Sequence, residues 1–389
     1  MKILQRYFAV TIFQAVAFVL AAFLALQAFM DLTGELPRVG KNGYAIQYVL
    51  LFVAVKLPGH VYEVMPLAAL IGTIYTMAQF ASTSEFTIMR ASSMTTGMVA
   101  WMLAKIGVVL VIITFIFGEL ITPRTAPLAE KIKLSGRGTT ISTEFRSGLW
   151  TKDIVKSEGM TGEVIGSRFF NVREVRPDGK LVDVKLYEFD NNFRLRSITV
   201  AKTGTYQGTN KWMLSEVKEN IFTNPALLKP GSEANLANNY AQDSSMIETR
   251  TSATRELISE ITPRILSVSR SDPERMSASE LALYTRHLQE NKQETERFKI
   301  AFWKKLFDPL AIFVLMALAL PFGYLHTRSG GVSLKIFVGI MIGVSYLLVN
   351  TLFSHLGVLS TWPAALTAIA PSLIFLLLAL GALWWVERH

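Results

Sequence analysis

Apolar runs of twenty or more residues constrain this chain more than any other feature. Tyr7 to Met30 is apolar except for Thr11, Gln14 and Gln27. A helix needs about 20 such residues to cross roughly 30 Å of hydrocarbon, and this run is too long for the core of a cleaved signal peptide. It reads as a retained first span, with Lys2 and Arg6 ahead of it. A second stretch, Tyr48 to Phe80, is interrupted by Lys56, Pro58, His60, Glu63 and Pro66, and its interior prolines predict a kink. Gly97 to Ile121 is the third, Phe298 to Leu325 the fourth, Ser333 to Phe353 the fifth and Trp362 to Val386 the sixth. Trp303, Lys304 and Lys305 at the entry to the fourth are expected at the membrane interface.

Between the third and fourth spans, from Thr122 to about Lys299, charges are frequent and no run is long enough to cross a bilayer. Thr122 to Gly138 reads as a helical extension of the third span. Beyond it the pattern is one of strands and turns. Arg-Pro-Asp-Gly at 176 to 179 and Asp190 to Asn192 mark turns. Strands are expected at 182 to 186, 194 to 201 and 212 to 222, a spacing that suggests a sandwich or jelly roll. Leu227 to Thr251 is polar and uninformative, whereas Ser277 and Glu280 form a capping box that starts a helix returning to the membrane.

Six spans with the amino end inside place both termini on the cytoplasmic side and the β domain outside. Lys2, Arg6, Arg90, Arg328 and Arg388 then fall inside, whereas the short external loops offer chiefly Arg38 and Lys41. Lys56 and Glu63 lie on one helix face, with two readings open: snorkelling at the outer interface or a buried functional pair.

Ala81 to Ser93, ASTSEFTIMRASS, is the polar elbow between the second and third spans. Ser82 and Glu85 have capping-box spacing, which predicts a short helix. In such a helix Phe86, Met89 and Arg90 share one flank and Ile88 points away from it. Spacing leaves two readings of this elbow, a solvated turn that Glu85 merely caps or a small two-faced helix with a second surface to dock.

Several functions are excluded. The net charge of +9 comes without clustered basic runs and aromatic platforms, so a nucleic-acid reader is not supported and anionic lipid is the natural partner. There is no cysteine, hence no disulfide, thiolate metal site or thiol nucleophile. Gly40-Lys41-Asn42 lacks the spacing and the Ser or Thr of a phosphate-binding loop, and no GxGxxG, HExxH or GxSxG occurs. His60, His287, His326, His355 and His389 are scattered, so neither a metal site nor catalysis is expected. A membrane body without a nucleotide site can use ATP only through a partner, and a two-faced cytoplasmic helix is a suitable mechanical input.

The chain resembles the lipopolysaccharide export permeases of the LptF/LptG family. The resemblance rests on Met-Asp-Leu at 30 to 32, Pro-Leu-Ala-Ala-Leu at 66 to 70, Ser-Glu-Phe-Thr-Ile-Met-Arg-Ala-Ser at 84 to 92, Gly-Leu-Trp-Thr-Lys-Asp at 148 to 153, and Trp-Lys-Lys-Leu-Phe-Asp-Pro at 303 to 309. It implies a multi-pass α-helical membrane protein of six transmembrane helices with an inserted periplasmic all-β, jelly-roll-like domain. Residues 1–121 would hold the first three spans with a coupling helix at about 82–92, residues 122–299 the β domain with flanking helices, and residues 300–389 the last three spans. It further implies a bacterial inner-membrane heterodimer with an LptF-like permease, driven by an LptB-like ATPase dimer that binds the ATP and magnesium. This chain itself would carry no cofactor. Lipopolysaccharide would leave the outer leaflet and pass, with an LptC-like membrane protein, to an LptA-like periplasmic bridge. Contact with the ATPase carries over to Glu85, Phe86, Ile88, Met89 and Arg90, and lipid A phosphates to Arg38, Lys41, Lys131 and Lys133. Relatives can carry a basic residue one turn before the aspartate of the first span; this chain has Gln27 and Ala28 there, and Arg38 or Lys41 would substitute. Read from residues alone, a permease for another lipid or lipoprotein, or a non-transporting receptor or scaffold with a β domain, also remains open.

Overall fold

Long apolar segments form long helices, because in hydrocarbon a backbone must satisfy its hydrogen bonds within itself. The computed structural model describes residues 2–40, 44–91, 94–136, 148–159, 161–176, 179–222, 247–268, 272–324, 331–360 and 362–388. In chain order the first helices are α1 (Lys2–Glu35), α2 (Ile46–Ser82), α3 (Glu85–Ala91), α4 (Thr96–Ile116) and α5 (Thr122–Gly136), with a π-helical turn at Phe117–Ile121 between the last two. Six strands follow: β1 (Leu149–Glu158), β2 (Thr161–Val175), β3 (Leu181–Asp190), β4 (Leu195–Gly208), β5 (Lys211–Phe222) and β6 (Ile247–Ile258). The chain closes with α6 (Pro263–Val268), α7 (Ala278–Glu290), α8 (Glu296–Phe307), α9 (Ala311–Ala319), α10 (Pro321–Tyr324), α11 (Val332–Leu359) and α12 (Ala364–Arg388). Among the described residues, six helical stretches are long and apolar enough to span a membrane: 3–38, 46–82, 96–133, 296–324, 332–359 and 364–386. By contact the chain divides into two units, one holding the spans and the other the sheet.

In the helical unit α2 is central, with Met65, Ala68, Ala69, Leu70, Ile74 and Met77 all buried. It continues as one helix through Pro58 and Pro66. The outer helices bury one stripe and expose large apolar groups on the other, such as Phe18, Leu348 and Leu377, which suits a hydrocarbon surround. Close approach depends on small residues: a Cβ at Gly72 would sit 2.7 Å from the backbone nitrogen of Val16, so only glycine lets α1 lie against α2 here. The Ser277–Glu280 box forms as expected. Glu280 N–H donates to Ser277 Oγ at 3.2 Å and Ser277 N–H to Glu280 Oε2 at 3.0 Å. Glu119, presented by the π-helical turn, takes a further free N–H of this helix start, from Ala278, at 2.7 Å.

Of the basic pair at the entry to the fourth span, Lys305 is turned into the protein. Lys305 is buried, its Nζ 4.4 Å from the Tyr62 ring centroid and 3.3 Å from Glu274 O. An ammonium leaves water only with such compensation, and nothing in the local sequence announces a ring supplied from α2.

The β unit is one antiparallel sheet in sequential order, β1 to β6, among the described residues. The all-β, jelly-roll-like expectation takes this form. Asp190 Oδ1 accepts from Asn192 N–H and Arg194 N–H at 2.9 Å each, which makes the expected β3–β4 turn. Sequence patterning finds β3, β4 and β5 but not β1, β2 or β6. The reason is visible in β1 and β2, which bury Thr151, Asp153, Ser167, Arg168 and Asn171 and so lack clean apolar alternation.

One end of the covered face is apolar, with Phe170, Val172, Val184, Leu186, Ala201, Trp212 and Leu257 packed under Ile261 and Leu266. The Trp212 indole N–H donates to Ile261 O at 2.7 Å. The other end is polar, and there side chains tie the edge strand β1 and its neighbour β2 to the end of β6. Ser259 Oγ donates to Asp153 Oδ2 at 2.6 Å, Lys156 Nζ to Glu260 Oε1 at 2.7 Å, and Arg168 Nη1 to Ile258 O at 3.1 Å.

Burial pushes the Asp153 carboxyl up from 3.8 to about 6, against the pull of Arg168 and of the Ser259 hydroxyl, with Glu260 adding to the push. The folded state therefore holds this proton more tightly than the unfolded chain does. Its stabilising contribution, about 3 kcal/mol, is complete below about pH 4 and is lost as the pH rises through about 6. Asp153→Asn is expected to flatten this dependence. Amide exchange of β1 and β2 between about pH 4.5 and 7.5, corrected for intrinsic rates, checks it; equal pH dependence in both proteins contradicts it.

Candidate functional site

At the elbow, α2 ends at Ser82, and a left-handed residue, Ser84 with φ 60°, turns the chain into α3. Here the capping-box expectation fails. Ser82 Oγ donates back to Gln79 O at 2.8 Å, so this hydroxyl finishes α2 instead of starting α3. Glu85 is engaged elsewhere: Oε1 accepts from Thr83 Oγ1 at 3.0 Å, and Oε2 from the Tyr7 hydroxyl of α1 at 3.1 Å.

The two faces of α3 are distinct. Phe86 and Met89 are buried in the core of the bundle, whereas Ile88 is 64% exposed. Phe86 meets Tyr324 edge to face, with ring centroids 5.0 Å apart. The Arg90 guanidinium carbon lies 4.9 Å from the same Tyr324 centroid, so Arg90 extends the inner flank while staying exposed. A seven-residue helix gains almost nothing from propensity alone, and tertiary packing must hold it. Phe86 supplies that anchor, and Ile88 is left as an apolar group facing outward.

The opposite end of α1 and α2 carries charges that the sequence scattered. Asp31 pairs through Oδ1 with Lys56 Nζ, and through Oδ2 with His60 Nε2 at 2.7 Å. His60 Nδ1 lies 3.1 Å from Glu63 Oε2. Neither reading of Lys56 with Glu63 describes this: Lys56 joins α2 to α1, and His60 stands between the two carboxylates. The helical spacing of 56, 60 and 63 was the available signal, and Asp31, the partner on α1, was the missing half. Lys56, His60 and Glu63 line a small depression with Thr122, Thr125 and Arg275.

Beside it, Glu35 is buried and takes Arg38 Nη1 at 2.8 Å and Lys133 Nζ at 3.5 Å. Lys133 also lies 5.7 Å from the Phe52 ring centroid. Lys131 is exposed, and Lys41 lies outside the described residues. The structure thus brings together two of the four basic candidates, around a carboxylate the sequence reading passed over.

Comparison with known proteins supplies the context for these two ends. The LptG protein of Escherichia coli strain K12, described as a lipopolysaccharide export system permease protein, is 28% identical over 384 residues, which is 98% of each chain. The corresponding protein of Haemophilus influenzae is 27% identical over 384 residues, covering 98% of this chain and 97% of its own. The profile of the family described as lipopolysaccharide export system permease LptF/LptG matches residues 6–387, so this chain, with its six apolar helices and inserted antiparallel sheet, belongs to the LptF/LptG family.

Proposed function

We propose that this permease is the LptG-type half of an inner-membrane pair with an LptF-like subunit. In this reading both termini and the elbow lie in the cytoplasm and the sheet lies in the periplasm. An LptB-like ATPase dimer hydrolyses ATP and drives the spans through α3. Lipopolysaccharide leaves the outer leaflet and passes by way of the β domains, with an LptC-like protein, to an LptA-like bridge. The observation that carries the proposal is the two-faced elbow, with Phe86 and Met89 locked into the bundle and Ile88 turned outward. A helix held on one side by its own spans and apolar on the other suits a groove in a moving partner.

Arg38, Lys131 and Lys133, with Lys41, are the cations we assign to the lipid A phosphates. Support comes from Glu35, which holds Arg38 and Lys133 together, because a phosphate offering more acceptor oxygens can replace one carboxylate between two cations. The chemistry needs external work, since each CH2 drawn from the bilayer costs about 0.8 kcal/mol unless reburied. The apolar end of the sheet would suit that reburial once Ile261 and Leu266 part from it.

The test reconstitutes the full complex in proteoliposomes with soluble bridge protein as acceptor. Glu85→Ala removes the acceptor shared by Tyr7 and Thr83, and is expected to lower lipopolysaccharide released per ATP about 3-fold or more while the spans still insert. Unchanged release per ATP together with unchanged ATPase binding would sink the coupling role.

A further inference from the structure

We infer that Tyr324 is the positioning residue through which movement of the elbow reaches the second half of the bundle. This rests on the reading of α3 as the coupling helix. That helix is joined to α2 directly by Thr83 and Ser84, so its movement reaches the first three spans along the chain itself. No such covalent link leads to the last three spans, and side-chain contact must serve instead.

Tyr324 is built for that contact. Its ring meets Phe86 edge to face at 5.0 Å and lies under the Arg90 guanidinium at 4.9 Å, so two successive turns of α3 hold it. Its hydroxyl donates to Thr96 Oγ1 at 2.9 Å, on the first residue of α4. Gly323 completes the seat: a Cβ there would stand 3.3 Å from Phe86 Cζ, tighter than ordinary contact. A rigid ring packed on three sides passes displacement on, because close-packed interiors shift between discrete arrangements and do not deform smoothly.

The segment that carries Tyr324 is suited to independent movement. The turn Pro321–Tyr324 is separate from α9 (Ala311–Ala319), and Pro321 has no N–H with which to continue the helical bonding. Leu320 N–H donates to Ala317 O and Gly323 N–H to Leu320 O, both at 3.1 Å, the short reach of a tight turn. On its far side the buried Lys335 Nζ of α11 lies 3.5 Å from Phe322 O, which connects this turn to the fifth span. The turn therefore touches α2, α3, α4 and α11 while remaining a break in its own helix.

The experiment uses the complete transporter in proteoliposomes and reads ATPase binding, ATP hydrolysis and lipopolysaccharide released per ATP. Tyr324→Leu is expected to keep the ATPase bound and hydrolysing while release per ATP falls at least 5-fold. Tyr324→Phe, which keeps the ring, stays within 2-fold of the parent. Phe86→Leu combined with Tyr324→Leu is no worse than either single change, because both remove the same contact. If Tyr324→Leu does not accumulate, Tyr324→Met, apolar and of similar reach, is measured with the same expectation. Release per ATP within 2-fold of the parent in the Leu or Met variant overturns the inference, as do multiplicative losses in the double variant. Glu85→Ala and Ile88→Glu run beside them. If those two impair coupling and Tyr324 variants do not, only the role of Tyr324 falls; if none of them does, the elbow reading falls as well.

Discussion

Ile88→Glu is expected to leave the bundle folded and to weaken capture of the ATPase about 100-fold. Ile88 is 64% exposed in the free chain, so the new carboxylate stays in water and costs the fold little. In a protein groove the same carboxylate is stripped of water with no partner of its own, a penalty of about 3 kcal/mol, which is roughly 100-fold in affinity. Ile88→Val keeps the apolar contact and is expected to stay within about 3-fold. Titration of the purified permease pair with ATPase measures both, and thermal unfolding confirms that the spans are intact. Equal affinity for Ile88→Glu and parent would mean that this face of α3 meets no protein. Buried neighbours make a useful contrast: Phe86→Ala opens a cavity within the bundle, so its loss of binding comes with a loss of stability.

Asp31→Ala is expected to be the most destabilising single change at the other end of α1 and α2. Asp31 is the shared partner of Lys56 and His60, and both of those are largely shielded from solvent. Removing it takes the carboxylate from Lys56 and leaves His60 with Glu63 alone. Breaking a buried pair on one side costs about 3 to 5 kcal/mol; residual solvent at Lys56 lowers this to about 2 to 3 kcal/mol. Asp31→Ala with Lys56→Ala is expected to recover most of the loss, since the lysine that lost its partner is then gone. The melting temperatures of the parent, the two single variants and the double variant form a cycle that isolates the pair. Additive losses would show that Asp31 and Lys56 do not depend on one another.

Legibility in the sequence followed the range of the interactions concerned. The spans were readable because hydropathy is a property of one continuous segment, and the Ser277–Glu280 box because its partners lie three residues apart. The strands of the middle were readable where side chains alternate, in β3 to β5. They were lost in β1 and β2, where Asp153 and Arg168 are buried on the strength of Ser259, Glu188 and the Ile258 carbonyl, all supplied by other segments. At Ser82 the local pattern matched a cap, yet the hydroxyl completed the preceding helix, because the α2 carbonyl lay nearer than the next helix start.

By itself the sequence determined the six apolar spans, the presence of a β region between the third and the fourth, and the two-sided character of the elbow. Each of these depends on composition or on spacing within a single segment. Only the tertiary structure decided what each charge and ring faces: Asp31 against Lys56 and His60, Glu35 against Arg38 and Lys133, and Phe86 and Arg90 against Tyr324. The partners in these sets reach from 3 to 238 positions along the chain, as Glu35–Arg38 and Phe86–Tyr324 show. The strength of such contacts depends on distance in space and on exclusion of water, and the packing of the folded chain sets both.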